Sequence, residues 1–321
     1  MKKIAFLFPG QGAQYKGMGK EFYDLDQNAK DSFHMASQIL GMDIKKLIFE
    51  ETEDLNQTKY TQIAMVTICK VILDKVKECF NERFHESISC QVSAGLSLGE
   101  YPALISSGAI DFVDALKVVK IRGELMDCPK EQGVGGMAAV LGLNGDIINN
   151  LLQEQGFKDV WIGNYNCDGQ YIITGRKDSI SRGSEVLLKE GAKRIIPLNV
   201  SGPFHSPMLY EAGIQLQPIL NEISINKPTS NFVSSVTGAY VNDPKEIREL
   251  LAKQVYSPVL WQQSMETMLS NQVDTFVEIG PGKTLSALAK KIDRNISVMN
   301  VEKPEDLDKL ISMIQVEDTY A

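Results

Sequence analysis

No uncharged apolar run in this 321-residue sequence approaches the roughly 18 residues that a membrane-spanning helix needs. The run Ile4-Ala5-Phe6-Leu7-Phe8 behind Lys2-Lys3 stops at Pro9-Gly10, too soon for a secretory segment, and reads as a first buried strand. The five cysteines, Cys69, Cys79, Cys90, Cys128 and Cys167, are odd in number and have no CxxC spacing, which argues against a disulfide framework and a zinc site. Excess positive charge is missing too: 33 Lys+Arg stand against 41 Asp+Glu, a net charge of −8, so nucleic-acid binding across the surface is not expected. These features lead to the expectation of a cytoplasmic protein with reduced thiols and with neither membrane nor nucleic acid as partner.

Two nucleotide signatures are incomplete. Gly10-Gln11-Gly12 follows the first strand, but Tyr15 stands where a dinucleotide loop needs its third glycine. Gly282-Lys283-Thr284 ends like a Walker A loop, yet Val277 occupies the first glycine position. Both readings weaken. A glycine-rich turn with exposed N–H groups can instead supply half of an oxyanion hole.

What is present is an ordinary globular composition, 43% hydrophobic and 23% charged, arranged as short strands alternating with helices. Lys3–Phe8, Thr275–Ile279 and Ile296–Val301 read as strands. Met65, Ile68, Cys69, Ile72, Val76, Cys79 and Phe80 step by three and four and mark one face of a helix. The expectation is an α/β fold with a parallel sheet. In the middle, Met137–Leu143, Val160–Tyr165, Tyr171–Thr174 and Arg194–Leu198 read as strands. Between them lie helices over Asp146–Gln155, capped by Asp146, and over Asp178–Lys189, stopped by Gly191. Asn166-Cys167-Asp168-Gly169 is the turn between the second and third. This β-α-β-β-α-β order is that of a ferredoxin-like unit. It reads as a small subdomain over 130–199 inserted into a body made of 1–129 and 200–321.

The chemistry centres on Gly95-Leu96-Ser97-Leu98-Gly99, between the strand-like Ser89–Ala94 and a helix opening at Glu100, with Pro102 tolerated in its first turn. G-x-S-x-G in that setting is a nucleophile elbow, a strained turn that exposes its serine at the end of a sheet. The competing reading is a glycine-rich connection without chemistry. A serine nucleophile needs a base, and only three histidines are available. His34 falls in a helix-like stretch and His85 in the polar Asn81–Glu86 linker; both read as surface or structural residues. His205 lies in Ser201-Gly202-Pro203-Phe204-His205-Ser206-Pro207-Met208, a loop stiffened by glycine and proline, and is the candidate base, with an ordinary loop histidine as the alternative.

Taken together, these motifs resemble the malonyl-CoA:acyl carrier protein transacylases of type II fatty acid synthesis, essentially end to end. The resemblance is carried by Phe8-Pro9-Gly10-Gln11-Gly12-Ala13-Gln14, the elbow continuing into Gly99-Glu100-Tyr101, and Arg122-Gly123-Glu124-Leu125-Met126. Further along it rests on Asn164-Tyr165-Asn166, Phe204-His205-Ser206, Gln254 with Pro258-Val259 and Trp261, and Glu278-Ile279-Gly280-Pro281-Gly282-Lys283. It implies a discontinuous α/β-hydrolase-like body carrying the ferredoxin-like insert. It also implies malonyl transfer from malonyl-CoA to acyl carrier protein, with no metal or redox cofactor.

By the same resemblance, Ser97 is the acylated residue and His205 its base, and Gln254 supplies an oxygen that orients the histidine. The N–H groups of Gln11 and Leu98 hold the oxyanion, Arg122 pairs with the malonyl carboxylate, and Phe204 crowds the acyl α-carbon. Without it, Arg122 reads as an exposed helix arginine among Lys117 and Lys120. One departure is Leu96, which stands where many relatives carry histidine. Because carrier proteins are acidic and this chain is net negative, a basic patch is expected near the site, with Lys189, Lys193, Arg194, Lys290 and Lys291 as candidates.

Overall fold

The computed structural model describes residues 3–50, 52–84, 90–127 and 134–315. In chain order its strands are β1 (Ile4–Phe8), β2 (Val92–Gly95), β3 (Gly135–Leu141), β4 (Val160–Cys167), β5 (Gln170–Arg176), β6 (Arg194–Pro197), β7 (Asn231–Ser234), β8 (Ala239–Tyr240), β9 (Thr275–Ile279) and β10 (Ser297–Val301). They form two sheets. The larger runs β10-β9-β1-β2-β7-β8 and is parallel except for the last pair. Every residue of β1 is buried, as both faces of a parallel strand between helical layers require. Its period of two sends Phe6 and Phe8 into the core on one face and Ala5 and Leu7 into the core on the other.

The smaller sheet is built from the consecutive strands β3 to β6 in the order β4-β5-β3-β6, all antiparallel. Helices Gly145–Glu154 and Lys177–Lys189 connect β3 to β4 and β5 to β6, which is the ferredoxin-like arrangement. Ala138, Val140, Ile162 and Ile173 pack beneath Ile148, Leu152 and Leu187 of those helices. The opposite face, with Met137, Ala139 and Ile172, joins the core of the body. Since β1 and β2 precede this unit and β7 to β10 follow it, the parallel sheet is discontinuous in sequence. The expected boundary between residues 129 and 130 lies outside the described residues, as do His85 and Cys128.

Several local expectations are corrected. Asn144, not Asp146, caps Gly145–Glu154, because it is the extended residue just before the helix and its side-chain oxygen accepts the Asp146 N–H at 2.8 Å, while Asp146 already lies within the first turn. Asn166 and Cys167 extend β4, leaving Asp168-Gly169 as the turn, with Gly169 at φ 69°. Asn81–Phe84 is no linker but the last turn of the long helix Thr58–Phe84. His34 is exposed on the helix Gln27–Leu40. Cys69, Cys79, Cys90 and Cys167 are free thiols. Among the described residues no helix is long and apolar enough to cross a membrane.

Candidate active site

The carboxyl ends of β1 and β2 lie side by side, with Phe8 in register with Gly95. Chain leaving β1 therefore faces chain leaving β2, at the crevice where α/β sheets bind ligands. After Gly95 the backbone turns sharply through Ser97–Gly99 into the helix Glu100–Ser106. Ser97 has φ 53°, a left-handed conformation that costs a side-chain-bearing residue energy. The glycines are steric necessities. A Cβ on Gly95 would collide with the Gly99 backbone, and one on Gly99 with the Phe8 carbonyl.

His205 is also left-handed, at φ 60°, in the loop between β6 and the helix Tyr210–Glu222. Two contacts fix that loop: the His205 N–H donates to Val255 O at 3.2 Å, and Thr174 Oγ1 of β5 donates to Phe204 O at 2.7 Å. The imidazole Nε2 lies 2.8 Å from Ser97 Oγ. Its Nδ1 faces two backbone carbonyls, Gln254 O at 2.9 Å and Ser257 O at 3.2 Å. Two acceptors there require the proton on Nδ1, which leaves Nε2 free to accept from the serine. Burial, reinforced by the Arg122 cation, holds the imidazole down at about 4, against the upward pull of the carbonyls.

Arg122 is 1% exposed, on the inner face of the helix Phe112–Met126. Its Nη1 donates to Gln62 Oε1 at 2.8 Å, and its Nη2 donates to Gln254 Oε1 at 2.8 Å and to Ser97 Oγ at 3.1 Å. The Tyr101 ring lies against the guanidinium, 5.8 Å from centroid to Cζ. Burial lowers its pKa, while Tyr101 and Glu100 raise it. Gln254 Nε2 in turn donates to Ser97 O at 3.0 Å and to the buried Glu100 carboxylate, whose other oxygen accepts the Ser235 N–H. Burial pushes Glu100 up to about 7 despite those donors.

A cleft of about 490 Å³ opens above these groups, between the two sheets. Its lining includes Gln11 and Leu98 beside Ser97, then Arg122, Phe204, His205 and Leu96 from the body, and Met137, Asn164, Asn166 and Ile172 from the small sheet. Asn164 bridges to Val259, and Tyr165 N–H donates to Val259 O at 2.9 Å, so β4 is joined to the segment that follows Gln254.

The family profile described as acyl transferase domain matches residues 5–305. The malonyl CoA-acyl carrier protein transacylase of Bacillus subtilis is 39% identical, with 100% of both chains covered. The crystal structure of the malonyl CoA-acyl carrier protein transacylase from Clostridium perfringens superimposes with a TM-score of 0.92 at 41% identity, covering 99% of each chain. The chain belongs to the malonyl CoA-acyl carrier protein transacylase family. Another similar structure, 32% identical with a TM-score of 0.90 over 96% of this chain and 98% of its own, is a malonyl-transacylase in complex with a type II PKS acyl-carrier protein.

The residues picked out by resemblance to the transacylase family converge: Ser97, His205, Arg122 and Gln254 form one hydrogen-bonded cluster, with Gln11, Leu98 and Phe204 on the adjoining wall. The alternative of an exposed arginine is overturned. Ala115, Val119, Arg122 and Met126 step by four, three and four on a buried face, a signal that places Arg122 inside. The oxygen that Gln254 gives His205 is its backbone carbonyl, and its side chain serves Arg122 instead. Gln62, Glu100 and Ser257 were not anticipated in these positions. Of the basic candidates, Lys189, Lys193 and Arg194 are exposed. The Lys290 ammonium donates to Arg294 O and Ile296 O, and that of Lys291 to Gln170 Oε1.

Proposed function

We propose that this protein moves the malonyl group of malonyl-CoA onto the phosphopantetheine thiol of an acyl carrier protein, by way of a malonyl ester on Ser97. One observation carries the reading: His205 Nε2 and Arg122 Nη2 meet on the same atom, Ser97 Oγ. A base, a nucleophile and a receptor for a carboxylate thus share one point.

Ser97 Oγ attacks the thioester carbonyl as its proton passes to His205 Nε2. The N–H groups of Gln11 and Leu98 hold the tetrahedral oxyanion. The imidazolium, supported by carbonyls rather than a carboxylate, is a strong acid in this buried place and gives its proton readily to the departing CoA sulfur. In the second half, His205 takes the proton of the carrier thiol, the thiolate attacks the ester carbonyl, and Ser97 recovers its hydrogen. Arg122 receives the malonyl carboxylate on its planar fork and so positions the ester for the thiol. Phe204 borders the acyl α-carbon and limits branching there. The free thiols accord with a reducing, cytoplasmic setting.

The test is incubation with malonyl-CoA, with and without carrier protein, followed by mass spectrometry. Malonyl-Ser97 that discharges to carrier faster than to water supports the reading. Free malonate formed as fast as malonyl-carrier would make the protein a hydrolase.

A further inference from the structure

We infer that Glu100 is a positioning residue for acyl selectivity: its buried carboxylate fixes the Gln254 side-chain amide with the oxygen toward Arg122, and thereby fixes the guanidinium against Ser97 Oγ. The inference rests on the reading of Ser97 and Arg122 given above. Glu100 opens the helix behind the elbow, is 1% exposed, and does not line the cleft. Any effect it has on an acyl group must pass through another side chain.

The amide geometry names that side chain. A primary amide carries two donors on nitrogen and its acceptor on oxygen. Both Gln254 Nε2 hydrogens face oxygens, one the Ser97 carbonyl at 3.0 Å and the other the Glu100 carboxylate. Oε1 is therefore turned toward Arg122 Nη2, 2.8 Å away. The flipped amide would set oxygen against two oxygens, and NH₂ against the guanidinium donors. A half-satisfied buried network is costly, so its members hold one another in register. Glu100 also needs both of its oxygens as acceptors, since the second takes the Ser235 N–H.

His205 does not depend on this amide, because its Nδ1 is held by the backbone carbonyls of Gln254 and Ser257. Losing the Glu100 carboxylate should thus disturb the arginine-dependent recognition of a charged acyl group more than the acylation chemistry common to all acyl groups.

The experiment measures kcat/KM for Ser97 acylation by malonyl-CoA and by uncharged acetyl-CoA in the parent, Glu100→Gln, Gln254→Leu and the double variant, each verified as folded by thermal unfolding. Glutamine offers one oxygen where two N–H groups need acceptors. The expected result is a malonyl loss about tenfold greater than the acetyl loss in Glu100→Gln, with no further malonyl loss when that change is added to Gln254→Leu. Equal losses for both acyl groups, an unchanged or strengthened malonyl preference, or losses that multiply in the double variant would overturn the inference. If Glu100→Gln does not fold, Glu100→Asp, which keeps the charge but shortens the reach, is read by the same outcomes. A parent protein without preference for malonyl would instead dismiss the reading of the site itself.

Discussion

Arg122 Nη2 lies 3.1 Å from Ser97 Oγ. A malonyl group esterified at that oxygen carries its carboxylate only three bonds away, so the cation stands within reach of the far end of a short dicarboxylyl chain. The same cation favours an ionised Ser97 oxygen and disfavours a protonated His205. One guanidinium thus bears on nucleophile and base and, in the proposed function, on selectivity.

Removing the cation should separate charged from uncharged substrates. Arg122→Ala is expected to lower kcat/KM for malonyl-CoA by about 100-fold, the scale of a charge-assisted hydrogen bond, while acetyl-CoA loses much less. Single-turnover acylation with each thioester checks this. Parallel losses would mean that Arg122 serves the fold rather than the carboxylate.

The serine and histidine should be separable by what remains. Ser97→Ala forms no acyl adduct by intact mass. His205→Ala still forms one, about 10²- to 10⁴-fold more slowly, because the oxyanion donors and Arg122 survive. A His205→Ala protein that acylates at the parent rate would remove the imidazole from the mechanism.

Two buried groups titrate in opposition. His205 falls from 6.5 to about 4 on folding, so the unfolded chain binds the extra proton between those values, and stability rises with pH across that window. Glu100 rises from 4.5 to about 7, so the folded chain binds the extra proton there, and stability declines as pH increases. Each effect is on the order of 3 kcal/mol, and the two largely cancel in the parent. Thermal unfolding at pH 5 and pH 7.5 should expose them singly: His205→Asn loses more stability than the parent on going to pH 7.5, and Glu100→Gln gains. The same pH response in all three proteins would contradict the assignment.

The elbow should resist even one added methyl group. Gly99→Ala drives a Cβ into the Phe8 carbonyl, a backbone atom that no side-chain rotation can move aside. A destabilisation of more than about 2 kcal/mol in urea unfolding is expected, with lost acylation. Near-parent stability would show that the turn can relax.

Charge reversal at the exposed Lys189, Lys193 and Arg194 should raise KM for carrier protein more than KM for malonyl-CoA. Lys290 and Lys291, already engaged with nearby oxygens, should contribute less. Equal changes for both substrates would place carrier docking elsewhere.

Most strands and the elbow were legible because local pattern determines them, whereas the order of strands across the parallel sheet was not. Period-two and all-apolar runs mark the strands, and G-x-S-x-G states a steric requirement within five residues. Caps and turns slipped by one or two positions, as at Asn144 and Asp168, because several adjacent polar residues suit a cap or a turn and composition alone does not choose among them. The wiring behind the nucleophile was not legible. Glu100 meets Gln254 across 154 positions, and Gln62 meets Arg122 across 60, pairings that no local spacing encodes. Arg122 was ambiguous only while its charge was weighed above its place in the Ala115-Val119-Met126 stripe.

The central claim is that Ser97 is esterified selectively by a dicarboxylyl group. Mixing the protein with equimolar malonyl-CoA and acetyl-CoA, quenching early and mapping the modified peptide reads this directly. Malonyl on Ser97 in large excess over acetyl is the predicted result; acetyl in equal or greater amount, or an adduct on any other residue, would contradict it.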